Sequence, residues 1–220
     1  MGVKENLDKL KETVSEDVNI VAVSKFHSNE EIMEAYDAGQ RIFGESRVQE
    51  LVQKQSELPE DIEWHFVGNL QRNKVKQIAP FVTLIHSVDS ERLMREIEKQ
   101  GATNNRTISC LIQIHVAEED TKSGFSPAEC LQFLSSGVWR EFPHVKFIGV
   151  MGMATFTEDT TKVKSEFKQI KALYERIKVD FYANDPDFNV VSMGMTNDYS
   201  IAIEEGSNMI RIGTLIFGER

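Results

Sequence analysis

The stretch FNVVSMGMTNDYSIAIEEGSNMIRIGT, residues 188–214, contains two apolar runs separated by one short amphipathic segment. The runs FNVVS (188–192) and MIRIG (209–213) are rich in Val, Ile and Met, as is typical of buried parallel strands. Between them, TNDYSIAIEE has the pattern of a short helix, and Gly206 is placed to close it. The stretch therefore predicts a strand, a helix and a second strand parallel to the first.

The same alternation recurs along the rest of the chain. Six further apolar runs come before residue 188, and helix signals separate them. Ser28 and Glu31, for example, have the spacing of a capping box ahead of an apolar-periodic segment. The predicted strands are NIVAVS (19–24), RIFG (41–44), IEWHFV (62–67), FVTLIH (81–86), ISCLIQIHV (108–116), KFIGVM (146–151), FNVVS (188–192) and MIRIG (209–213).

Strands that alternate with helices in this way predict an α/β fold, a single (β/α)₈ barrel of the TIM type. An open doubly wound sheet is the alternative, but no G-x-G-x-x-G motif follows any predicted strand. No linker-like stretch divides the chain, so we expect one domain over residues 1–220. We expect residues 1–15 to form an N-terminal helix that packs outside or under the barrel.

The composition restricts the classes of partner. With 25 basic and 35 acidic residues, the formal net charge is −10, which disfavours nucleic acid and anionic membrane surfaces. No apolar run approaches the ~18 residues of a membrane span, and the charged first residues are unlike a secretory signal. Cys110 and Cys130 are interpreted as buried free thiols in a reducing compartment. We therefore expect a cytoplasmic protein, and a monomer because no long exposed apolar stripe is evident.

The ends of the last two strands carry the residue types of a phosphate site. Ser192 and Thr214 offer hydroxyl groups, while Gly194 and Gly213 allow backbone N–H groups to approach an anion. TIM-type barrels often bind phosphate with the loops after strands 7 and 8. The alternative is that these are ordinary turns that need glycine.

Two cations at strand ends extend this candidate site. Lys25 ends strand 1, where a poorly solvated amine could form an imine with an aldehyde; the alternative is a solvated lysine that starts a loop. Arg211 lies within an apolar strand, so its permanent charge needs a partner there. From the sequence, a ligand acceptor and a buried carboxylate would serve equally well.

Three histidines near the ends of successive strands raise the alternative of a metal-dependent hydrolase. They are His65, His86 and His115. No H-x-H motif occurs, and carboxylates are not placed like metal ligands at the other strand ends. We therefore expect no metal site.

Several segments, in this order along the chain, resemble the pyridoxal phosphate homeostasis protein family. The segments are VAVSK (21–25), AGQRIFGESRVQE (38–50), WHFVGNLQRNK (64–74), KSGF (122–125), SMGMTNDY (192–199) and RIGTLIFGER (211–220). The similarity extends from about Ile20 to the C-terminus. The combination of SMGM with RIGT-x-IFG is its most specific part.

The resemblance implies a barrel like the N-terminal domain of alanine racemase, with pyridoxal 5′-phosphate (PLP) held as a Schiff base on Lys25. It implies that Arg211 faces the pyridine nitrogen and that Met153 lies against the cofactor ring. It further implies phosphate binding by a set of four residues at the last two strand ends. That set is Ser192, Gly194, Gly213 and Thr214.

The sequence departs from the family pattern at three places. Ser46 stands where the family commonly has Asn, so a ring contact there is in doubt. Phe26-His27-Ser28 follows the lysine instead of Thr-Lys-Pro. Thr196 replaces a usual serine and keeps the hydroxyl.

The implied role is PLP homeostasis, in which the protein binds the cofactor and releases it, with PLP-dependent apo-enzymes as candidate recipients. A PLP-dependent amino-acid racemase or decarboxylase is the alternative. We expect no turnover. Arg211 can only donate, so a ring nitrogen that faces it stays unprotonated and PLP is a weaker electron sink, which alone does not forbid catalysis. Racemisation also needs a second acid/base. The sequence ends six residues after Thr214, and its tyrosines, Tyr36, Tyr174, Tyr182 and Tyr199, are predicted in helices or helix-flanking loops.

Overall fold

A computed structural model describes residues 2–117 and 123–219. Its parallel strands close into a barrel in which β8 pairs with β1. The strands are β1 (Asn19–Val23), β2 (Ile42–Glu45), β3 (Glu63–Phe66), β4 (Leu84–Val88), β5 (Ile108–His115), β6 (Val145–Met153), β7 (Val190–Ser192) and β8 (Met209–Ile212). The (β/α)₈ prediction is confirmed, and the open sheet is excluded.

Helices follow the strands and cover the outside of the barrel. They are α1 (Val3–Thr13), α2 (Asn29–Asp37), α3 (Val48–Glu57), α4 (Val75–Ile78), α5 (Glu91–Thr103), α6 (Pro127–Ser135), α7 (Thr160–Phe181), α8 (Tyr199–Glu204) and α9 (Thr214–Phe217), with 3₁₀ turns at Arg72–Lys74 and Val138–Glu141. Ser28 and Glu31 form the predicted capping box at α2. No helix in the described ranges is long and apolar enough to cross a membrane.

The N-terminal helix α1 lies against two of the outer helices. Its buried side chains are Val3, Leu7 and Leu10, and it contacts α2 and α9. Asn6 Nδ2 donates to the carbonyl oxygen of Ile216 at 3.1 Å. This contact ties the first helix to the segment that directly follows β8.

Every strand differs from its sequence prediction by one to three residues at one or both ends, and β4 and β6 show that backbone pairing, and not apolar composition, bounds a strand. β4 begins at Leu84, since the N–H groups of Phe81 and Val82 donate to the Ile78 carbonyl and close α4. β6 extends to Met153, which pairs in register with His115 of β5. Met153 is thus the last residue of a strand.

The side chains inside the barrel change from apolar to polar along the barrel axis. Its lower part is an apolar cluster contributed by alternate strand residues, namely Val21, Leu84, Leu111, Met151, Val190 and Met209. One step further toward the carboxyl ends, the strands contribute buried polar side chains: His65, His86, Ser192 and Arg211. A larger apolar cluster fills the layer between the barrel and the helices. It includes Cys110 and Cys130, which are buried and free as predicted.

Side chains complete the seam between β7 and β8. The two strands share a single register pair, Ser192 with Met209. Asn208 Oδ1 accepts from the Val191 N–H at 2.7 Å, and Ser207 Oγ lies within hydrogen-bond distance of the Val191 and Met193 carbonyls. The seam therefore holds the loops after β7 and β8 side by side at the carboxyl end of the barrel.

Candidate functional site

Lys25 lies in a tight turn at the end of β1. The His27 N–H donates to the Ser24 carbonyl at 3.0 Å, and Phe26 has a φ of 68°, the left-handed conformation that the third residue of a type II turn needs. Lys25 is half-buried and continues the inward alternation of Val21. Within the described ranges, the structure gives its amine no ion pair or hydrogen bond, so the amine is available to a ligand.

A buried charge pair holds this turn from the outer side of the barrel. Lys54 Nζ on α3 donates to Glu45 Oε1 at 2.6 Å and to the Ser24 carbonyl at 2.8 Å. Ser24 Oγ donates to the same carboxylate oxygen at 2.8 Å. Burial raises the pKa of Glu45, while the hydrogen bonds and charge of Lys54 oppose the rise. We refer to Ser24, Glu45 and Lys54 as the outer network.

No sequence motif predicts the outer network. Lys54 lies four residues after Glu50 on a helix, a spacing that is usually a solvent-exposed ion pair. In the structure, Lys54 is buried. Its amine lies 3.6 Å from Glu50 Oε2, which also accepts from the Phe26 N–H at 2.8 Å. The contact of Lys54 with Glu45 joins two separate elements, and no local sequence pattern signals it.

Arg211 lies inside the barrel. The sequence did not decide between a ligand acceptor and a buried carboxylate as its partner. Arg211 is only 5% exposed and donates to the Ser192 carbonyl at 2.9 Å, to Ser192 Oγ at 2.7 Å and to the Gly152 carbonyl at 3.2 Å. Burial lowers the pKa of Arg211 to about 10, and the charge of Asp198 opposes this effect. The guanidinium is therefore charged at neutral pH, and in the described part of the chain no carboxylate forms an ion pair with it.

Two of the three histidines considered as metal ligands hydrogen-bond to each other. His86 Nε2 lies 3.0 Å from His65 Nδ1, and His86 Nδ1 lies 3.2 Å from Ser192 Oγ. His115 is half-exposed at the end of β5. Among the described residues, no group of three His, Cys, Asp or Glu side chains could hold a metal ion. The histidines therefore give the metal-hydrolase alternative no support.

Glycine is required in the loop after β7. Gly194 has a φ of 92°, and a Cβ there would lie 2.7 Å from Ala202 Cβ and 2.9 Å from Tyr199 Cα. Its carbonyl accepts from the Arg211 N–H at 3.0 Å. After β8, a Cβ on Gly213 would lie 3.2 Å from the Val23 carbonyl oxygen. Both loops thus have glycine backbone at the carboxyl end of the barrel, and the loop after β8 lies next to the end of β1.

The two hydroxyl residues of the predicted phosphate site lie in different environments. Thr214 is exposed at the start of α9. Ser192 is fully buried, and its hydroxyl contacts Arg211 and His86. A direct contact between Ser192 and a phosphate stays a prediction, whereas its contact with Arg211 is part of the structure.

Exposed apolar side chains surround the mouth of the barrel. Met153, the last residue of β6, is 41% exposed, and Phe26, Phe156 and Met195 in the neighbouring loops and Leu215 in α9 are also exposed. The mouth thus combines an apolar rim, an available amine, two glycine-containing loops and a buried cation that no carboxylate of the described residues contacts. These features suit a planar ligand that carries an aldehyde, a ring acceptor and an anionic group. Lys122 of the KSGF segment lies outside the described residues.

Comparisons with known proteins agree with the barrel fold. Residues 2–220 match the family model described as alanine racemase, N-terminal domain. A pyridoxal phosphate homeostasis protein of Aquifex aeolicus is 38% identical over 202 residues, which covers 91% of this chain and 86% of that protein. One from Schizosaccharomyces pombe is 32% identical over 226 residues, which covers 97% of this chain and 91% of the relative.

Solved structures also match the fold of this chain. PipY of Synechococcus elongatus PCC7942, solved with PLP bound, superposes with a TM-score of 0.90 at 32% identity and covers 98% of this chain and 100% of its own. An alanine racemase of Clostridium difficile 630 has a TM-score of 0.77 at 14% identity and covers 100% of this chain but 57% of its own. At that identity the racemase shares the fold alone.

Proposed function

Because this chain belongs to the pyridoxal phosphate homeostasis protein family, we propose that it binds PLP at the mouth of the barrel and releases it to PLP-dependent apo-enzymes. The observation that carries the proposal is that the same end of the barrel holds two cations, neither of which contacts a carboxylate in the described ranges. Lys25 has an amine without an ion pair or hydrogen bond in the described ranges, and Arg211 is a buried guanidinium without a contacting carboxylate there. A buried charge without a counter-ion is costly, so a further acceptor from a ligand is expected at Arg211.

Each of the candidate residues has a distinct role in this proposal. PLP, when bound, supplies an aldehyde that condenses with amines and a ring that withdraws electrons. Lys25 holds the ligand covalently through its ε-nitrogen, and Arg211 donates to the ring nitrogen. Met153 covers part of the ring.

The phosphate group is assigned to the loops after β7 and β8. Gly194 and Gly213 provide bare backbone there, and Thr214 provides an exposed hydroxyl. Ser192 belongs to the site through its hydrogen bond to Arg211. The outer network contributes by holding the turn that carries Lys25.

We further propose that the protein is a carrier without turnover, and that residues 1–220 act as one PLP-binding unit, monomeric and cytoplasmic. Lys25 supplies an acid/base on one side of a bound amino acid. The tyrosines do not supply a second one from a strand end, since Tyr36 and Tyr174 lie within helices, Tyr182 follows α7 and Tyr199 starts α8. A racemase or decarboxylase is the alternative function.

Identification of the modified lysine tests the assignment of Lys25. The protein is saturated with PLP, reduced with borohydride and digested, and the pyridoxyl group is located by mass spectrometry. We expect it on Lys25, and we expect Lys25→Ala to lose the visible absorbance of the bound cofactor. Lys74→Ala, which alters a lysine in the turn before α4, is the matched control. A pyridoxyl group on Lys74 or another lysine would show the assignment to be wrong.

Proton exchange separates the carrier from the enzyme. PLP-saturated protein is incubated with L-alanine and other amino acids in deuterium oxide. We expect exchange of the α-proton at the slow rate of free PLP. Exchange within seconds, or formation of the D-isomer, would instead support the racemase, and release of carbon dioxide would support the decarboxylase.

A further inference from the structure

Four buried polar side chains inside the barrel form one continuous chain of hydrogen bonds. Arg211 Nη1 donates to Ser192 Oγ at 2.7 Å, Ser192 Oγ lies 3.2 Å from His86 Nδ1, and His86 Nε2 lies 3.0 Å from His65 Nδ1. The four residues come from β8, β7, β4 and β3. We refer to Arg211, Ser192, His86 and His65 as the inner network. The proposed function uses Arg211 and, through it, Ser192, but gives the two histidines no role.

The chemistry of the guanidinium sets the donor-to-acceptor direction of the hydrogen bonds in the inner network. Arg211 can only donate, so Ser192 Oγ accepts from it, and the Ser192 proton needs an acceptor of its own. His86 Nδ1 is the remaining contact of that hydroxyl in the described part of the chain. A neutral imidazole carries one proton, and His86 therefore carries it on Nε2 and donates it to His65 Nδ1. His65 in turn carries its proton on Nε2.

The reverse direction is disfavoured by burial. If His86 carried its proton on Nδ1, Ser192 Oγ would accept two hydrogen bonds, and its own proton would be buried without an acceptor among the described residues. A buried donor without a partner costs free energy. Burial also lowers the pKa of His65 to about 3 and the pKa of His86 well below its usual value. Both rings are therefore neutral at neutral pH and have a single proton each.

The hydrogen bonds of the inner network also determine which protons of Arg211 are left for a ligand. Its two Nη1 protons serve the carbonyl and the hydroxyl of Ser192, and one Nη2 proton serves the Gly152 carbonyl. The negative charge of Asp198 acts on the pKa of Arg211, but its carboxylate accepts from the Met195 N–H at 2.6 Å. Since the side of the guanidinium that bears Nη1 is held by Ser192, its remaining N–H groups are fixed in direction.

We infer that His86, supported by His65, is a positioning residue that orients Arg211 through Ser192 toward the ring nitrogen of PLP. The inference rests on the proposed function for the identity of the ligand. The hydrogen bonds of the inner network join protein side chains to one another, so the network can be tested in the PLP-free protein. The role of the chain can be tested with two ligands that differ at a single ring atom.

The first measurement is ¹⁵N NMR of the histidine side chains in the PLP-free protein. We expect His65 and His86 both to carry the proton on Nε2, with spectra that do not change between pH 8 and pH 6. A proton on Nδ1 of either ring would overturn the direction of the chain. His144, which is half-exposed and bonded to Glu98 at 2.7 Å, provides an internal reference outside the barrel.

The second measurement compares PLP with 1-deazapyridoxal 5′-phosphate, in which a carbon replaces the ring nitrogen and cannot accept from Arg211. We expect the wild-type protein to prefer PLP by about tenfold or more, the value of a hydrogen bond to a charged group. His86→Phe keeps a ring but removes the acceptor for Ser192, and should reduce this preference severalfold. His86→Gln, whose amide can accept and donate, should restore most of it, and His144→Gln should leave it unchanged.

The outcomes distinguish a failure of the proposed function from a failure of the positioning role of His86. If the wild-type protein binds neither ligand, the proposed function fails, and with it the role of the chain toward PLP. If the wild type prefers PLP and His86→Phe prefers it equally, the positioning role of His86 is wrong while the proposed function stands. A general loss of folding would lower the affinity for both ligands alike and would leave their ratio unchanged, so the ratio isolates the positioning effect.

Discussion

The inner and outer networks lie on opposite faces of the same barrel and differ in how fully their charges are matched. In the outer network, Lys54 contacts the carboxylate of Glu45 at 2.6 Å and a backbone carbonyl at 2.8 Å. Among the described residues, Arg211 of the inner network has only neutral hydrogen-bond partners, and Lys25, after the end of β1, has no partner. The matched network is suited to holding the backbone, and the unmatched one to binding a ligand.

The difference follows from the alternation of side chains along a strand. Glu45 and Ser24 face the helix layer, where Lys54 of α3 can reach them. Arg211 faces the closed barrel interior, which helices cannot reach, and its partners there come from other strands. A buried cation inside the barrel can therefore receive an anionic or acceptor partner from the open mouth.

Removing one member of the outer network should have the largest effect. Lys54→Met leaves the buried Glu45 carboxylate without its cation and should lower the free energy of unfolding by about 3–5 kcal/mol. Urea unfolding measures this change. The double variant Lys54→Met/Glu45→Gln keeps an acceptor for Ser24 Oγ and should recover most of the loss. A single variant that costs less than about 1 kcal/mol would contradict the role assigned to this pair.

A change at the mouth should affect binding and leave both networks intact. Thr214→Val removes an exposed hydroxyl and should weaken PLP binding by about 1.5–3 kcal/mol, which is roughly tenfold to a hundredfold. Pyridoxal, which lacks the phosphate, should bind the variant and the wild type about equally. Thr13→Val, in α1, is the control substitution. Equal weakening of both ligands would argue against a phosphate contact at Thr214.

Acid should destabilise the protein through the inner network. The unfolded histidines take up a proton near pH 6.5, whereas burial lowers the pKa of folded His65 to about 3. The stability that this residue contributes is therefore present above pH 6.5 and is lost as the pH falls toward 3. The loss approaches about 1.4 kcal/mol per pH unit for each such histidine.

Comparison of variants isolates this effect from the titration of carboxylates. The free energy of unfolding is measured between pH 7 and pH 4.5 for the wild type, His65→Gln and the surface variant His144→Gln. We expect a smaller decrease with falling pH in His65→Gln than in the other two proteins. Identical slopes in all three would mean that folded His65 takes up its proton near its ordinary pKa.

An exposed ion pair provides the smallest expected effect. Arg95 bonds to Glu91 one turn earlier on α5, with both side chains about half exposed. Glu91→Gln should change the free energy of unfolding by no more than about 0.5 kcal/mol, because solvent screens such pairs. The contrast with Lys54→Met tests whether burial decides the difference. An effect of similar size in both variants would remove that explanation.

Part of the candidate site could be predicted because its residues lie at strand ends that the sequence reveals. Lys25, Arg211 and Gly194 follow or belong to apolar runs, and a parallel barrel brings the carboxyl ends of such runs together. Arg211 was also recognisable as a charge in an apolar strand. Its partners were not, since Ser192 and Gly152 lie on other strands.

The sequence by itself determined the order of strands and helices, the barrel class and the family, because apolar periodicity and capping residues are local and the motifs are contiguous. The structure decided which charges are matched. Lys54 has the sequence spacing of a surface residue yet is buried against Glu45, and His65 and His86, which resemble metal ligands in the sequence, bond to each other. Contacts of this kind join residues from different strands and helices. Only the closure of the barrel fixes their distances, so no local pattern could reveal them.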